Sequence, residues 1–236
     1  MRYAILSLLL ISGFALSAQN LQLHYDMGKA NDKRASDRGF FTSTVEMFRP
    51  DSLGSTFFFI DMDYNGKDGD ISASYWEIAR EVKLWSAPVA LHLEFNGGLF
   101  KDRNSDFGGH IRNAYIFGAS TSFTLGKVNL GSYIAYKHFN GGGKEGPDIQ
   151  WTGTWFTMIA NGKITLTGFF DVWSQDKING LGVADGKTWV FLSEPQIWYN
   201  VNKNLSIGSE FEISSNFIFP SNKLEIMPTV AAKWNF

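Results

Sequence analysis

The C-terminal residues 224–236 constrain the fold of this chain more than any other stretch. Every second position carries an apolar or aromatic side chain, ending with Trp234 and Phe236, and the positions between them are mostly polar, such as Glu225 and Lys233. Because side chains alternate between the two faces of a strand, this period of two predicts a β-strand with one apolar face. We expect the strands before it to repeat the pattern.

Strand-like alternation recurs along the chain. Twelve segments show it, at residues 20–28, 40–49, 55–65, 71–84, 88–98, 110–125, 128–140, 148–160, 163–174, 187–201, 205–217 and 223–236. Short links at 50–54, 85–88, 126–127, 161–162 and 202–204 alternate with longer polar links at 29–39, 65–70, 99–109, 141–147 and 175–186. This rhythm is typical of membrane-spanning barrels with short periplasmic turns. The prediction is an all-β, antiparallel up-and-down barrel over residues 19–236, with both termini periplasmic.

The first eighteen residues predict export. A basic residue precedes an apolar run at residues 3–11, and Ala15, Ser17 and Ala18 offer a cleavage site near Gln19. This is the organisation of a secretory signal peptide, and the run is too short for a spanning helix. An N-terminal membrane anchor is the alternative. The chain has no cysteine, so neither disulfides nor thiolate metal sites stabilise it. We predict a signal peptide at residues 1–18 and the bacterial outer membrane as the destination.

Odd and even positions along a strand lie on opposite faces, and we call this assignment the parity of a residue. In the segment 88–98, Leu91 and Leu93 alternate with His92 and Glu94, so the apolar set is expected to face lipid and the polar set the lumen. A Lys or Arg at the bilayer midplane costs about 2–4 kcal/mol, which makes the exclusion of charge from one face informative. The alternative is a soluble exported sandwich or lipocalin-like barrel, whose apolar face would point inward.

The inward positions carry the candidate functional residues. The predicted lumen and substrate-binding residues are Glu46, Phe59, Asp61, Asp63, Glu77, Arg80, His92, Glu94, Arg112, Phe169, Asp171 and Glu210. Parity adds His24, Asp26, Lys137 and Glu212 to the inward set. Around Glu77 and Arg80 no single register keeps every charge inside, which predicts a β-bulge or a strand end near the rim.

Acidic residues dominate this inward set, and aromatic residues accompany them. An acidic channel favours neutral or cationic solutes over anions, whereas the alternative is that acids and bases pair across the barrel as internal struts. Phe59 shares parity with Asp61, and Phe169 with Asp171, so flat rings lie beside carboxylates. Such a surface suits a nucleoside and equally a sugar, unless the rings only fill the interior.

Other functional classes have less support. The segment 61–66 resembles the start of an EF-hand calcium loop, but position twelve is Ser72 and the flanks are strands, so we predict no metal site and no cofactor. A lipid hydrolase needs serine and histidine in contact, whereas Ser132 and His138 are six residues, about 20 Å, apart along one strand. The net charge of −2 indicates no nucleic-acid partner. The main prediction is therefore that the protein is not an enzyme. Two alternatives remain: a plugged structural or receptor barrel, and a lipid-modifying enzyme of the outer membrane.

The last strand resembles the closing strand of bacterial outer-membrane barrels, in which a terminal phenylalanine belongs to the assembly signal. The chain as a whole resembles the Tsx-like family of nucleoside-specific channel-forming outer-membrane proteins. The motifs that carry this resemblance are Thr-Val-Glu at 44–46, Phe-Phe-Phe-Ile-Asp at 57–61, Trp-Glu-Ile-Ala-Arg at 76–80, Gly-Phe-Phe-Asp-Val-Trp at 168–173 and Trp-Asn-Phe at 234–236. The external loops are shorter than those of the family.

The resemblance implies a twelve-stranded monomeric barrel whose narrow lumen passes nucleosides. It also implies that Glu46, Glu77, Arg80, Phe169 and Asp171 occupy family-like positions in the barrel. The expected partners are outer-membrane lipid, a small hydrophilic, nucleoside-like solute and, through Phe236, the barrel-assembly machinery. The expected function is passive diffusion of small hydrophilic solutes, with nucleosides as the first candidates, without a cofactor.

Overall fold

The structure, a computed structural model, describes residues 18–103, 105, 107–140, 147–178 and 184–236. The strand segments are β1 (Ala18–Asp26), β2 (Phe41–Asp51), β3 (Gly54–Tyr64), β4 (Ala73–Val82), β5 (Ala90–Lys101), β6 (Gly108–Leu125), β7 (Val128–Phe139), β8 (Asp148–Ile159), β9 (Ile164–Ile178), β10 (Ala184–Ser193), β11 (Gln196–Asn200), β12 (Leu205–Ser215) and β13 (Glu225–Asn235). A short helix, α1 (Gly28–Asn31), and two 3-10 turns, Lys33–Ala35 and Lys67–Gly69, lie in the links. The predicted signal peptide lies outside the described residues except for Ala18.

The strands form one antiparallel sheet that closes on itself. β1 pairs with β13, from Asn20 opposite Asn235 to Asp26 opposite Thr229, and this pairing joins the two ends of the chain. β10 and β11 share one position between β9 and β12. The molecule is therefore a closed barrel with twelve strand positions, which confirms the predicted fold class.

The predicted strand 187–201 is divided at Glu194 and Pro195, between β10 and β11. Proline has no backbone N–H and cannot donate to the ladder. The wall stays hydrogen-bonded across the break, because the Glu194 N–H donates to the Phe169 carbonyl at 3.1 Å and the Phe211 N–H donates to the Pro195 carbonyl at 3.0 Å. The interruption therefore changes the path of one strand without opening the barrel.

The links differ in length between the two ends of the barrel. At one end, here called the turn end, the links include residues 52–53, 126–127, 160–163 and 201–204. At the opposite end, here called the loop end, they include residues 27–40, 65–72 and 216–224. The predicted alternation of short and long links is confirmed for these links except 216–224, which was not among the predicted long links. Both ends of the barrel domain lie at the turn end.

The outer wall is apolar and the interior mostly polar. On β1, Leu21 and Leu23 are exposed whereas Gln22 and His24 are buried, and the same alternation places Leu93 outside and His92 inside on β5. The lipocalin-like alternative requires the opposite arrangement and is wrong for the described strands. No helix among the described residues has the length and apolarity to span a membrane.

The bulge predicted around Glu77 and Arg80 is not present, because β3 and β4 pair without a shift from Gly54 opposite Val82 to Asp63 opposite Ala73. Register shifts occur instead in the β5–β6 and β9–β10 pairs. With a regular register, Glu77 faces inward and Arg80 shares the outward face with the exposed Ile78. The strand end near the rim, the other prediction for this stretch, explains the outward charge.

Candidate functional site

Arg80 does not line the lumen, so its prediction as a lumen residue is wrong. Its guanidinium lies on the outer side near the turn end, where it donates to both carboxylate oxygens of Asp51 at 2.5 and 2.9 Å and to the Thr56 hydroxyl at 3.1 Å. An arginine at the rim can reach polar partners and water while its stem lies along the apolar wall. An outward-facing charge is therefore tolerated near the end of β4.

Eleven of the twelve predicted lumen residues face inward, all except Arg80. They are Glu46, Phe59, Asp61, Asp63, Glu77, His92, Glu94, Arg112, Phe169, Asp171 and Glu210. Arg112, for example, lies over the ring of the inward Phe139, with its guanidinium carbon 4.8 Å from the ring centroid. The strands bring these side chains to one interior but leave them at different heights and on different walls.

One side of the interior, built by β5 to β8, is tightly packed. We call it the packed wall and define it by His92, Glu94, Asn96, Lys137 and Gln150, all buried. His92 lies between two carboxylates, with Nδ1 2.7 Å from Glu81 and Nε2 2.9 Å from Glu94. Since carboxylates only accept hydrogen bonds, both ring nitrogens donate and the imidazole is positively charged. The ring also stacks on Tyr133 with centroids 3.7 Å apart.

A chain of hydrogen bonds continues from His92 across the packed wall. The Tyr133 hydroxyl donates to Glu94 at 2.9 Å, and the Gln150 amide donates to the Tyr133 oxygen at 2.7 Å. Lys137 donates to the other end of Gln150 at 2.6 Å, and its ammonium lies 4.4 Å from the centroid of the Trp173 ring. This part of the interior agrees with the strut hypothesis, because its charges and amides are held by one another.

The remaining inward carboxylates form a second surface, here called the acidic face. It consists of Glu46, Asp61, Asp63, Glu77, Asp171, Glu194 and Glu210, which are half-buried. Their hydrogen-bond donors are neutral: Thr44 donates to Asp61 at 2.5 Å and Tyr75 donates to Glu77 at 2.7 Å. Among the described residues, no Lys or Arg nitrogen lies within ion-pair distance of these seven carboxylates, and the Nδ1 atom of His24 lies 3.9 Å from Glu210. The strut hypothesis does not account for this surface.

The histidines and lysines of the interior have less access to water than the acidic face. His24, His92, Lys137 and Lys233 are 4%, 2%, 6% and 9% exposed, whereas the seven carboxylates of the acidic face and two inward arginines, Arg38 and Arg112, are half-buried. Two of the bases lie against rings: the Lys233 ammonium is 4.0 Å from the centroid of Trp198 and the Lys137 ammonium 4.4 Å from that of Trp173. Water along the lumen thus meets mostly negative charge.

The loop at residues 27–40 folds inward at the loop end. Ala35, in its 3-10 turn, is fully buried, and Arg38 donates both to Asp26 on β1 and, at 3.0 Å, to Glu212 on β12. Because Asp26 and Glu212 lie on the inner face, the Arg38 guanidinium sits inside the mouth of the barrel. The loop therefore narrows the lumen at this end.

Farther out on the same loop, Arg34 donates to Asp32 at 2.5 Å, and this bond holds the pKa of the Asp32 carboxyl below its usual range. Arg34 also pairs with the buried Glu225 of β13 at 2.9 Å. The loop is thus attached to the barrel wall through two arginines, Arg34 and Arg38.

Several lumen residues were missed at the level of sequence. Three of them have the same inward parity as predicted residues: Tyr75, Tyr133 and Gln150. Parity therefore indicates them, but the prediction was based mainly on charged side chains and left out neutral polar ones. Glu194 lies in the break between β10 and β11, where no parity rule applies. Within the part of the chain that the structure describes, no group of histidine and carboxylate side chains converges closely enough to hold a metal ion.

A closed antiparallel barrel with an apolar outer wall and a charged interior places this protein in the class of β-barrels with outer-membrane architecture. The chain belongs to the family described as "Domain of unknown function (DUF5020)", whose model matches residues 18–236. No curated protein sequence matches the chain.

Two solved structures share the fold. A NanC porin is 11% identical, with a TM-score of 0.55, over 93% of this chain and 100% of its own. A KdgM porin is 8% identical, with a TM-score of 0.50, over 93% of this chain and 99% of its own. At identities this low, the similarity shows a shared fold and nothing more specific.

Proposed function

We propose that this protein is an outer-membrane channel through which small hydrophilic solutes diffuse passively. The observation that carries the proposal is the acidic face, since half-buried, inward-facing carboxylates require water inside a closed barrel. The apolar outer wall supports a bilayer environment, with the turn end periplasmic and the loop end external. The two structural neighbours, both described as porins, agree with a channel. The chain is proposed to act as a monomer, with no catalytic role.

Nucleosides are the solutes we propose first. Three inward rings follow one another on β3 and β4, with the centroids of Phe57 and Phe59, and of Phe59 and Tyr75, each 6.0 Å apart. Carboxylates stand beside them, since Phe59 is opposite Glu77 in the β3–β4 register. A base could lie against such rings while ribose hydroxyls donate to carboxylates. The resemblance to nucleoside-specific channels supports the same choice.

Single-channel recording tests this function. In a planar bilayer, the purified barrel is expected to conduct, and nucleosides are expected to reduce the current saturably while sugars do not. Phe59→Ala and Glu77→Gln are expected to weaken the block about tenfold, because each removes one stacking or charge-assisted contact worth roughly 1–3 kcal/mol. Nucleoside titrations of the current give the apparent binding constant for each variant.

Two variants serve as matched controls. Phe117→Ala removes an outward-facing phenylalanine, and Asp68→Asn removes a carboxylate from the exposed link between β3 and β4. Both are expected to keep the nucleoside block of the parent protein. Equal block by sugars and nucleosides would leave a general channel, and block that survives Phe59→Ala and Glu77→Gln would move the nucleoside site elsewhere.

A closed barrel that acts through its loops is the second candidate, and the inward loop at 27–40 favours it. Arg38→Ala leaves the buried Asp26 and the half-buried Glu212 without their shared cation, and breaking a fully buried pair of this kind costs about 3–5 kcal/mol. The loop is therefore expected to detach, which raises the conductance and speeds amide hydrogen exchange in residues 27–40 at least about tenfold. Hydrogen exchange followed by mass spectrometry measures the second effect.

Lys33→Ala is the control for Arg38→Ala, because Lys33 is an exposed residue of the same loop. It is expected to change neither conductance nor exchange. If Arg38→Ala leaves both unchanged, the loop is not held by this ion pair. If the parent protein and Arg38→Ala are both silent in the bilayer, the channel proposal fails and the closed barrel replaces it.

A further inference from the structure

The turn end of the barrel carries an excess of positive side chains. Its five links are residues 52–53, 83–89, 126–127, 160–163 and 201–204, and within three residues of them lie six lysines and arginines but only two acidic side chains. Both acidic side chains have partners in direct contact, because Asp51 pairs with Arg80 and Glu81 with His92. Five exposed cations remain, one at each link: Arg49, Lys83, Lys127, Lys163 and Lys203.

These five side chains, here called the basic rim, have no ion-pair partner among the described residues. Arg49 acts on Asp51 only at longer range, since that carboxylate is bound by Arg80. The loop end differs, because its links mix both signs: Lys67 is followed by Asp68 and Asp70. A surface of one sign, without its own counter-charges, fits a negatively charged partner.

Apolar side chains accompany the basic rim at every link. Within four residues of each cation lies an exposed apolar residue, and these are Phe48, Leu84, Leu125, Ile159 and Val201. Trp85 is exposed on the same link as Lys83. At the boundary of a bilayer, apolar and aromatic side chains lie at the edge of the hydrocarbon while lysine and arginine reach the headgroups. The alternation therefore favours lipid over an acidic soluble protein as the partner.

A groove in the outer wall adjoins one of these links. It has a volume of about 380 Å³, and its outward lining residues are Val89, Ala119, Thr121, Ser132, Ile134 and Trp151. The two hydroxyl groups are already engaged, because Thr121 donates to the Pro88 carbonyl at 2.8 Å and Ser132 to the Thr152 carbonyl at 2.9 Å. The groove thus offers an apolar surface on the side of the barrel that faces lipid. Val89 belongs to the link 83–89, which also carries Lys83.

We propose that the basic rim binds the phosphate groups of anionic phospholipids, and that one such lipid lies with its phosphate at Lys83 and an acyl chain in the outer-wall groove. The barrel thereby selects anionic lipids from the leaflet at its turn end. The cations supply the charge complementarity, and the groove supplies a seat for the chain. This inference goes beyond the proposed channel, because it concerns the outer surface and needs neither a solute nor conduction.

Native mass spectrometry of the folded barrel in detergent tests the proposal. The protein is titrated with phosphatidylglycerol or with phosphatidylcholine of the same acyl chains, and the spectra count the lipids retained. Phosphatidylglycerol is expected to bind about fivefold more tightly or better, the factor that one lysine near an anionic surface contributes. Raising the ammonium acetate concentration to about 1 M shortens the Debye length to about 3 Å and is expected to reduce the difference.

Charge variants test the role of the basic rim. Replacing all five of its cations by glutamine is expected to remove the preference for phosphatidylglycerol. The matched control replaces five exposed lysines of the loop end, which changes the net charge equally and is expected to keep the preference; they are Lys29, Lys33, Lys67, Lys177 and Lys223. Lys83→Gln alone is expected to lose most of the preference, so the test does not depend on the fivefold variant folding. Heat-dependent migration on gels identifies the folded variants.

A second pair of variants tests the groove. Ala119→Phe fills it and is expected to weaken phosphatidylglycerol binding about tenfold, the equivalent of about two buried methylene groups. Ala232→Phe adds the same ring to the exposed outer face of β13 and is expected to leave binding unchanged.

Three results would overturn the inference. The first is equal retention of the two lipids, or retention of neither. The second is a preference that survives the loss of the basic rim. The third is a dimer that Ala119→Phe separates, because a second copy of the chain would then occupy the groove. If phosphatidylglycerol is selected but the bilayer stays silent, the channel proposal fails and this inference stands. A conducting barrel that retains both lipids equally has the opposite meaning.

Discussion

Replacing His92 by alanine is expected to lower the free energy of unfolding by about 3–5 kcal/mol. The imidazolium lies between Glu81 and Glu94, at 2.7 and 2.9 Å, and the ring is 2% exposed. Removing it leaves the buried Glu94 of the packed wall and the half-buried Glu81 beside it without their shared cation, and it also removes the stacking on Tyr133. Urea unfolding of the barrel in lipid vesicles, followed by tryptophan fluorescence, measures the change.

A double substitution separates the charge effect from the loss of packing. In the Glu94→Gln background, His92→Ala no longer leaves a charged carboxylate at Glu94, so its cost is expected to fall by about 1–3 kcal/mol. His24→Ala is a second comparison, because the ring nitrogens of His24 form hydrogen bonds with the neutral groups of Gln22 and Thr229, at 2.9 and 3.1 Å, and the nearest carboxylate, Glu210, is 3.9 Å away. Its expected cost is about 1–3 kcal/mol. If His92→Ala costs the same in both backgrounds, the imidazolium does not stabilise the wall through charge.

Gly54→Ala is expected to destabilise the barrel by about 3 kcal/mol or more. Gly54 begins β3 after a two-residue link, with a φ of +142°, a conformation that side-chain-bearing residues rarely adopt. A Cβ at this position would also lie 1.9 Å from the backbone carbonyl oxygen of Glu81 on β4. Because a neighbouring backbone cannot rotate aside as a side chain can, the β2–β3–β4 wall must shift. The same urea titration measures the effect.

Gly126→Ala is the matched control for Gly54→Ala. Gly126 lies in the two-residue link between β6 and β7 with a φ of +62°, and nothing lies within 4 Å of a Cβ built there. Its expected cost is about 1–2 kcal/mol, the penalty of the left-handed backbone alone. If the two substitutions cost the same, the contact with the Glu81 carbonyl contributes nothing and only the backbone conformation counts.

The alternation of side chains was enough to predict the two faces of the barrel. Gln22 and His24 on β1, and His92 and Glu94 on β5, are inside because a strand places successive residues on opposite faces. The same rule predicted the closing strand, which pairs with β1 along its length. Ten of the twelve predicted lumen residues follow from this alternation alone. Glu77 and Arg80 were predicted from their charge in a stretch where alternation could not place both inside, and the regular β3–β4 register puts Glu77 inward and Arg80 outward. Arg80 is outside because near a rim the outer face also accepts charge.

Parity could not predict which inward groups meet. His92 contacts Glu81 through the β4–β5 pairing and Glu94 along its own strand, but the contact with Tyr133 depends on how β7 lies across the interior. The insertion of Arg38 between Asp26 and Glu212 depends on the fold of a link that carries no alternation. The division between β10 and β11 could have been suspected from Pro195, but its continued pairing with β9 and β12 could not.

The sequence by itself determined that this chain forms strands with one apolar and one polar face, because a period of two acts locally and needs no knowledge of distant neighbours. Only the tertiary structure decided how the inward charges divide into a packed wall and an acidic face. That division depends on strands brought together by closure, such as β5 and β7, whose residues Glu94 and Tyr133 form a hydrogen bond although they are 39 residues apart in sequence. Charge interactions across a lumen are set by distance in space, which a linear pattern does not contain.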